Sequence, residues 1–185
     1  MRVIAAGFTP WKMDRLLALI PPVYGVTRVF AGPEGYPGAI QMPDNLRGKD
    51  AAMYARGVEE HPDQPDFWLL HDDLEYVDLD ALWPESVTCE VRGVPNLSSW
   101  IDLDRCRDGQ ERKFHVQRGT DVLFIRNAAL YMTAARFREV WTNANGCANG
   151  FEKGTITGLG DWQYELIPPE SAVDSNTRRF VHAEA

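Results

Sequence analysis

Apolar and polar positions along this chain mark out alternating short elements. Val3 to Phe8 is an unbroken apolar run, the pattern of a strand buried on both faces. Thr9-Pro10 supplies an N-cap and a proline suited to the first helical turn, so WKMDRLLALI reads as a helix that Pro21-Pro22 ends. Gly25 to Ala31 predicts a second strand, and glycines at 32, 35 and 38 mark a turning loop before a short strand over Ala39 to Met42. Asn45 then caps a helix to about Glu60, with Leu46, Ala52, Ala55 and Val58 spaced for a buried face and Pro62 and Pro65 closing the connection. Phe67 to Leu70 is the next strand, and it stops abruptly in His71-Asp72-Asp73. Farther on, Val87 to Arg92, Lys113 to Arg118 and Asp121 to Ile125 predict strands, and Asn127 predicts the cap of a helix to about Trp141. Residues 143 to 160, rich in glycine and asparagine, predict a flexible loop. Asp161 caps an expected short helix, DWQYEL, and Arg179 to His182 a last strand. Strands alternating with helices predict an α/β domain with a largely parallel sheet, and no repeat or linker divides it.

Composition narrows the classes. At 185 residues and 44% hydrophobic content the chain suits one domain with a sizeable core. No apolar run approaches the roughly 20 residues that span a bilayer, and MRVIAAGFTPWK lacks the form of a secretory signal. A cytoplasmic protein without integral membrane association is expected. Cys89, Cys106 and Cys147 stand far apart and form no CxxC pair, against both a disulfide framework and a structural zinc site. A formal charge of −8 repels phosphate backbones and lowers the expectation of general nucleic-acid binding.

The candidate chemistry lies in the three polar residues that close the Phe67 to Leu70 run. In open α/β sheets ligands bind beyond the carboxyl ends of the strands. Carboxylates there suit a hard divalent cation, which takes oxygen ligands and neutralises the phosphates of a nucleotide. The plain alternative is that Asp72, Asp73 and Glu75 are solvated loop residues.

Asn45-Leu46-Arg47-Gly48-Lys49-Asp50-Ala51-Ala52, followed by Phe67-Trp68-Leu69-Leu70-His71-Asp72-Asp73, resembles the nucleotide-sugar glycosyltransferases of the GT-A fold, especially the family-two group. There an N-x-G-x-x-x-A segment opens a helix, and an apolar strand ends in a D-x-D-like motif often written His-Asp-Asp. The resemblance implies a GT-A-like three-layer sandwich with a mostly parallel mixed central sheet in one domain over residues 1–185. Residues 1–77 would be the nucleotide-sugar half, and residues 78–185 the acceptor side with the flexible loop. It implies Asp73 as principal ligand of Mn²⁺ or Mg²⁺, His71 and Asp72 assisting at the donor, and His182 as an extra metal ligand. Gly160-Asp161-Trp162 is similar to the family's Gly-Glu-Asp segment, which makes Asp161 the general base of an inverting transfer and Trp162 an apolar face for a sugar ring. Thr9, Asn45, Arg47 and Lys49 fall at donor positions, the last two beside phosphates.

Two departures qualify the match. The family's nucleobase acid at the end of the second strand is displaced here to Glu34, which loosens the preference for a UDP-sugar, and Gly160 stands where the glutamate is usual. The acceptor stays open among carbohydrate, protein and modified nucleic-acid base. Two other classes share the features: a binding module that holds a nucleotide sugar or glycan without turnover, and a sugar nucleotidyltransferase, whose Gly-rich basic first loop AAGFTPWK matches poorly.

Overall fold

The computed structural model describes residues 1–44, 49–95, 100–107, 110–117, 125–144 and 163–174. The first half follows the predicted order: β1 (Arg2–Gly7), α1 (Pro10–Ala18), β2 (Gly25–Phe30), β3 (Ile40–Gln41), α2 (Lys49–Glu59) and β4 (Asp66–His71). After it come β5 (Leu74–Val77), α3 (Leu79–Leu82), β6 (Val91–Pro95), β7 (Trp100–Arg107), β8 (Gln110–Gln117), β9 (Ile125–Thr133), α4 (Ala134–Ala144), β10 (Tyr164–Leu166) and β11 (Ala172–Asp174).

A seven-stranded sheet runs in the order β10-β6-β9-β4-β1-β2-β3. Its pairings are parallel except those of β9, which is antiparallel to both β4 and β6. The fold is therefore α/β with a mostly parallel mixed sheet. β5 and β11 form a small antiparallel pair, and β7 with β8 a second antiparallel ribbon.

Alternate residues of the central strands feed two cores. Ile4 and Ala6 of β1 and Phe67 and Leu69 of β4 pack with Met53, Tyr54 and Val58 of α2 and Phe137 and Val140 of α4. Val3 and Ala5, with Trp68 and Leu70, pack with Met13 and Leu16 of α1 and Leu79 and Leu82 of α3. Period-two alternation with both sets buried is what a strand covered on both faces requires. Gly57 sets the distance between α2 and the sheet: a Cβ there would lie 2.4 Å from Ile4 Cγ2.

The second half corrects several expectations. The segment from Asn127 begins no helix, because residues 125–133 are β9 and α4 starts only at Ala134. Ala129 to Met132 are all buried between β4 and β6, so this stretch has the even apolar character of an interior strand rather than a helical stripe. Thr133 Oγ1 accepts from Arg136 N–H, marking where the helix begins. Within the expected DWQYEL helix, Tyr164–Leu166 is β10, parallel to β6. β6 opens at Val91 rather than Val87, which is fully exposed, and Lys113 to Gln117 belong to β8 while its partner β7 carried no prediction. β5 and α3 were also unexpected; Asp78 caps α3 by accepting from Asp80 N–H and Ala81 N–H. Of the strand expected over 121–125 only Ile125 is described, as the first residue of β9, and the strand expected at 179–182 and most of the 143–160 loop lie outside the described residues. Among the described residues no helix is long and apolar enough to cross a membrane.

Candidate functional site

Strand order reverses between β1 and β4, since β2 and β3 extend from one side of β1 and β4 lies on the other. Helices on opposite faces follow from this winding, and the crevice beyond the carboxyl ends of β1 and β4 is where such sheets receive ligands. Gly7-Phe8-Thr9 leave one strand there and His71-Asp72-Asp73 the other, with Ala6 and His71 paired in register.

Asp72 joins the two strand ends. Its N–H donates to Ala6 O at 2.9 Å, continuing the ladder, and its Oδ2 accepts from Phe8 N–H at 2.8 Å and Thr9 N–H at 3.0 Å. The residue is 1% exposed. Thr9 has the extended backbone of an N-cap, but its hydroxyl makes no capping bond; the carboxylate of Asp72 holds the turn instead. Gly7 makes room for this, because a Cβ there would stand 2.9 Å from Asp72 Oδ2 and 2.8 Å from Met13 Cε. Arg15 Nη2 donates to Asp72 O at 3.2 Å.

Asp73 has different partners. Lys12 Nζ donates to its Oδ1 at 2.5 Å, and its Oδ2 lies 3.5 Å from His71 Nδ1. The His71 hydrogen bond, then the Lys12 ammonium, outweigh partial burial and hold this carboxyl far below the usual range. His71 is largely buried, its Nδ1 3.4 Å from Asp72 Oδ1, and Phe8 stands tilted against its ring at 5.7 Å. Burial alone would lower its pKa; the carboxylates of Asp73, Asp50 and Asp72 overcome that and raise it. From α2, fully buried Tyr54 joins the same electrostatic neighbourhood. Burial, with the charges of Asp50, Asp72 and Asp73, pushes its phenol well above its ordinary value and keeps it protonated.

Donor atoms of His71, Asp72 and Asp73 all lie within 4.8 Å of one another. Two carboxylates and an imidazole are a donor set suited to Mn²⁺ or Mg²⁺. Asp72 Oδ1 and Asp73 Oδ2 face the imidazole, while Asp72 Oδ2 is bonded to the backbone and Asp73 Oδ1 to an ammonium. The donor chemistry fits such a cation, with Lys12 already standing on one of its oxygens.

Thr9, His71, Asp72 and Asp73 thus lie together at one strand end. Glu34 is exposed on the Gly32–Gly35 turn after β2, and no described hydrogen bond or ion pair links it to the cluster. Lys49 opens α2, and only its backbone is described. Asn45, Arg47, Asp161, Trp162 and His182 lie outside the described residues. Gln163, the first described residue after Asp161 and Trp162, is fastened to Glu90 at the amino end of the sheet, level with the start of β4. Five residue steps along β4, roughly 17 Å, separate that level from His71.

Sequence reading missed Lys12, Arg15, Asp50 and Tyr54. The available signal was the spacing of Lys12 and Arg15 on one side of α1 beside a solvent-facing Trp11, which is 60% exposed and lies 5.4 Å from the Arg15 guanidinium. A groove of about 580 Å³ lies at the opposite end of the sheet, lined by Met1, Gln64, Asp66, Trp83 and Glu85 among others, away from the acidic strand end. No family model matches the chain, and no match was found among curated proteins.

Proposed function

We propose that this protein is a divalent-metal-dependent glycosyltransferase of the GT-A fold that moves a sugar from a nucleoside-diphosphate donor to an acceptor hydroxyl. The observation that carries the proposal is the placement of His71, Asp72 and Asp73 at the carboxyl end of β4, at the reversal of strand order. The mostly parallel mixed sheet, with α1 and α2 contributing to opposite cores, is in keeping with the same reading.

In this reading the residues divide the work. Asp73, with His71 and the Oδ1 of Asp72, would hold the cation, which would supply charge neutralisation to a departing diphosphate. Asp72 fixes the β1–α1 turn against which the donor lies, and buried Tyr54 stays neutral behind the cluster. Asp161 is the proposed base for an inverting displacement. Two residues, about 7 Å of extended chain, separate it from Gln163 at the far end of the sheet, so the base assignment stands on the resemblance alone and has its own test. The internal pairing of Asp72 and Asp73 also favours a second reading, a module that binds a nucleotide sugar without turnover.

A panel of nucleotide sugars with and without Mn²⁺, read by thermal shift and donor hydrolysis, separates these readings. Metal-dependent stabilisation with slow hydrolysis is expected, and Asp73→Asn should abolish both. Stabilisation without turnover under any acceptor would give the binding module. Asp161→Asn should spare donor binding and remove transfer; a variant that transfers sugar at the normal rate would exclude Asp161 as the base.

A further inference from the structure

Lys12 stands in an electrostatically awkward place for a helix. It is the third residue of α1, where the unsatisfied N–H groups favour a negative side chain, yet the first turn holds no acid and this one ammonium. It pairs with Asp73 at 2.5 Å and stands 6.0 Å from the Trp11 ring, and the Lys12 and Asp73 side chains are about a quarter exposed. A residue that breaks a local preference without a packing gain is a sign of function. Arg15, one turn on, is tied to Asp72 O, to Glu75 at 3.9 Å and to the face of Trp11. Lys12 is the flexible cation of the pair, a point charge on a four-carbon stem.

We infer that Lys12 is the internal counter-cation of Asp73 and competes with a divalent ion for that carboxylate. The inference rests on the proposed reading of Asp73 as a metal ligand. An ion carrying two charges outcompetes an ammonium at a shared carboxylate, and the displaced ammonium is then repelled from the ion it borders. An anionic ligand at the same strand end, the diphosphate of the donor, then offers the displaced ammonium a partner. Lys12 therefore weakens metal binding to the free protein and strengthens diphosphate binding to the metal-loaded one. This coupling makes metal and donor bind more favourably together than the metal does alone.

The test uses the full chain and Mn²⁺ alone, with free Mn²⁺ followed by electron paramagnetic resonance. Lys12→Met should bind Mn²⁺ about two- to fivefold more tightly than the unaltered protein, the range expected from removing one partly exposed ion pair. Lys12→Arg, which retains the counter-charge, should stay near the original affinity, and Asp73→Asn should lose the site. Calorimetry with a panel of nucleoside diphosphates at saturating Mn²⁺ should then show Lys12→Met about tenfold weaker, as for one charge-assisted hydrogen bond. An unchanged or lower Mn²⁺ affinity in a Lys12→Met protein with an intact melting transition overturns the inference, as does absence of Mn²⁺ binding in every variant. If Mn²⁺ affinities follow the expected order while no nucleoside diphosphate binds, the competition stands and the donor reading fails.

Discussion

Asp72 and Asp73 are adjacent acids with separate tasks, and substitution should separate them. Asp72 is buried and holds two N–H groups from a loop 63 and 64 residues earlier in the chain, so Asp72→Ala should lower stability by about 2–3 kcal/mol in urea denaturation. Asp73 pairs with both Lys12 and His71 but stays about a quarter exposed, so Asp73→Asn should cost about 1–2 kcal/mol in the same assay, less than Asp72→Ala, and under the proposed reading should also remove Mn²⁺ binding. That the strand would end in a cluster of His71, Asp72 and Asp73 was legible, because an apolar run broken by three polar residues is a local pattern. The capping role of Asp72 was not, because its partners lie far off in sequence and are backbone groups, which no side-chain pattern records. Cys89 gives a third expectation at this scale. Burial, together with nearby Glu165, pushes its thiol up to about 12, so peptide-resolved alkylation at neutral pH should leave it unmodified until the protein unfolds.

α2 depends on a glycine where helix propensity alone would favour alanine. Gly57→Ala gains about 1 kcal/mol of propensity, but the added methyl would meet Ile4 Cγ2 at 2.4 Å and Val29 Cγ2 at 3.3 Å across the helix–sheet interface. Overpacking of this kind costs about 1–3 kcal/mol, so a net loss is expected, and a double-mutant cycle with Ile4→Ala should recover part of it. Elements of the first half were readable because each begins or ends at a proline, glycine or capping residue. β9 was misread because Ala128, Ala129 and Met132 are residues equally at home in helices, and its burial comes from β4 and β6 rather than from its own sequence. β10 was misread for a similar reason. What fixes it is Glu165, which accepts from the backbone N–H of Glu85 and Ser86 and pairs with buried Arg92. Those partners are some 80 residues away.

Across the whole molecule, carboxylates that tie the second half together set the response to acid. At Glu165 the bonds from Glu85 and Ser86 N–H and from Arg92 outweigh a burial effect in the opposite direction, and at Glu90 the leading cause is Arg136. Both groups are held below the ordinary value of 4.5. A depressed folded-state pKa means that the unfolded chain takes up the proton first on acidification. The stabilisation is therefore complete above pH 4.5 and lost as pH falls through the lower folded values. Chemical denaturation from pH 7 to pH 3 should show that decline, and Glu165→Gln should make it shallower; an unaltered slope would count against the assignment. Overall α/β architecture was legible because burial on both faces of β1 and β4 writes continuous apolar runs, whereas the position of β9 depends on long-range pairing that single-sequence patterns do not encode. The one-residue step between Asp72 and Asp73 has a consequence for descent. Changes at position 73 leave the backbone bonds of the β1–α1 turn intact, so a lineage can vary that side chain without passing through an unfolded ancestor, while any change at position 72 must first find another holder for the two N–H groups.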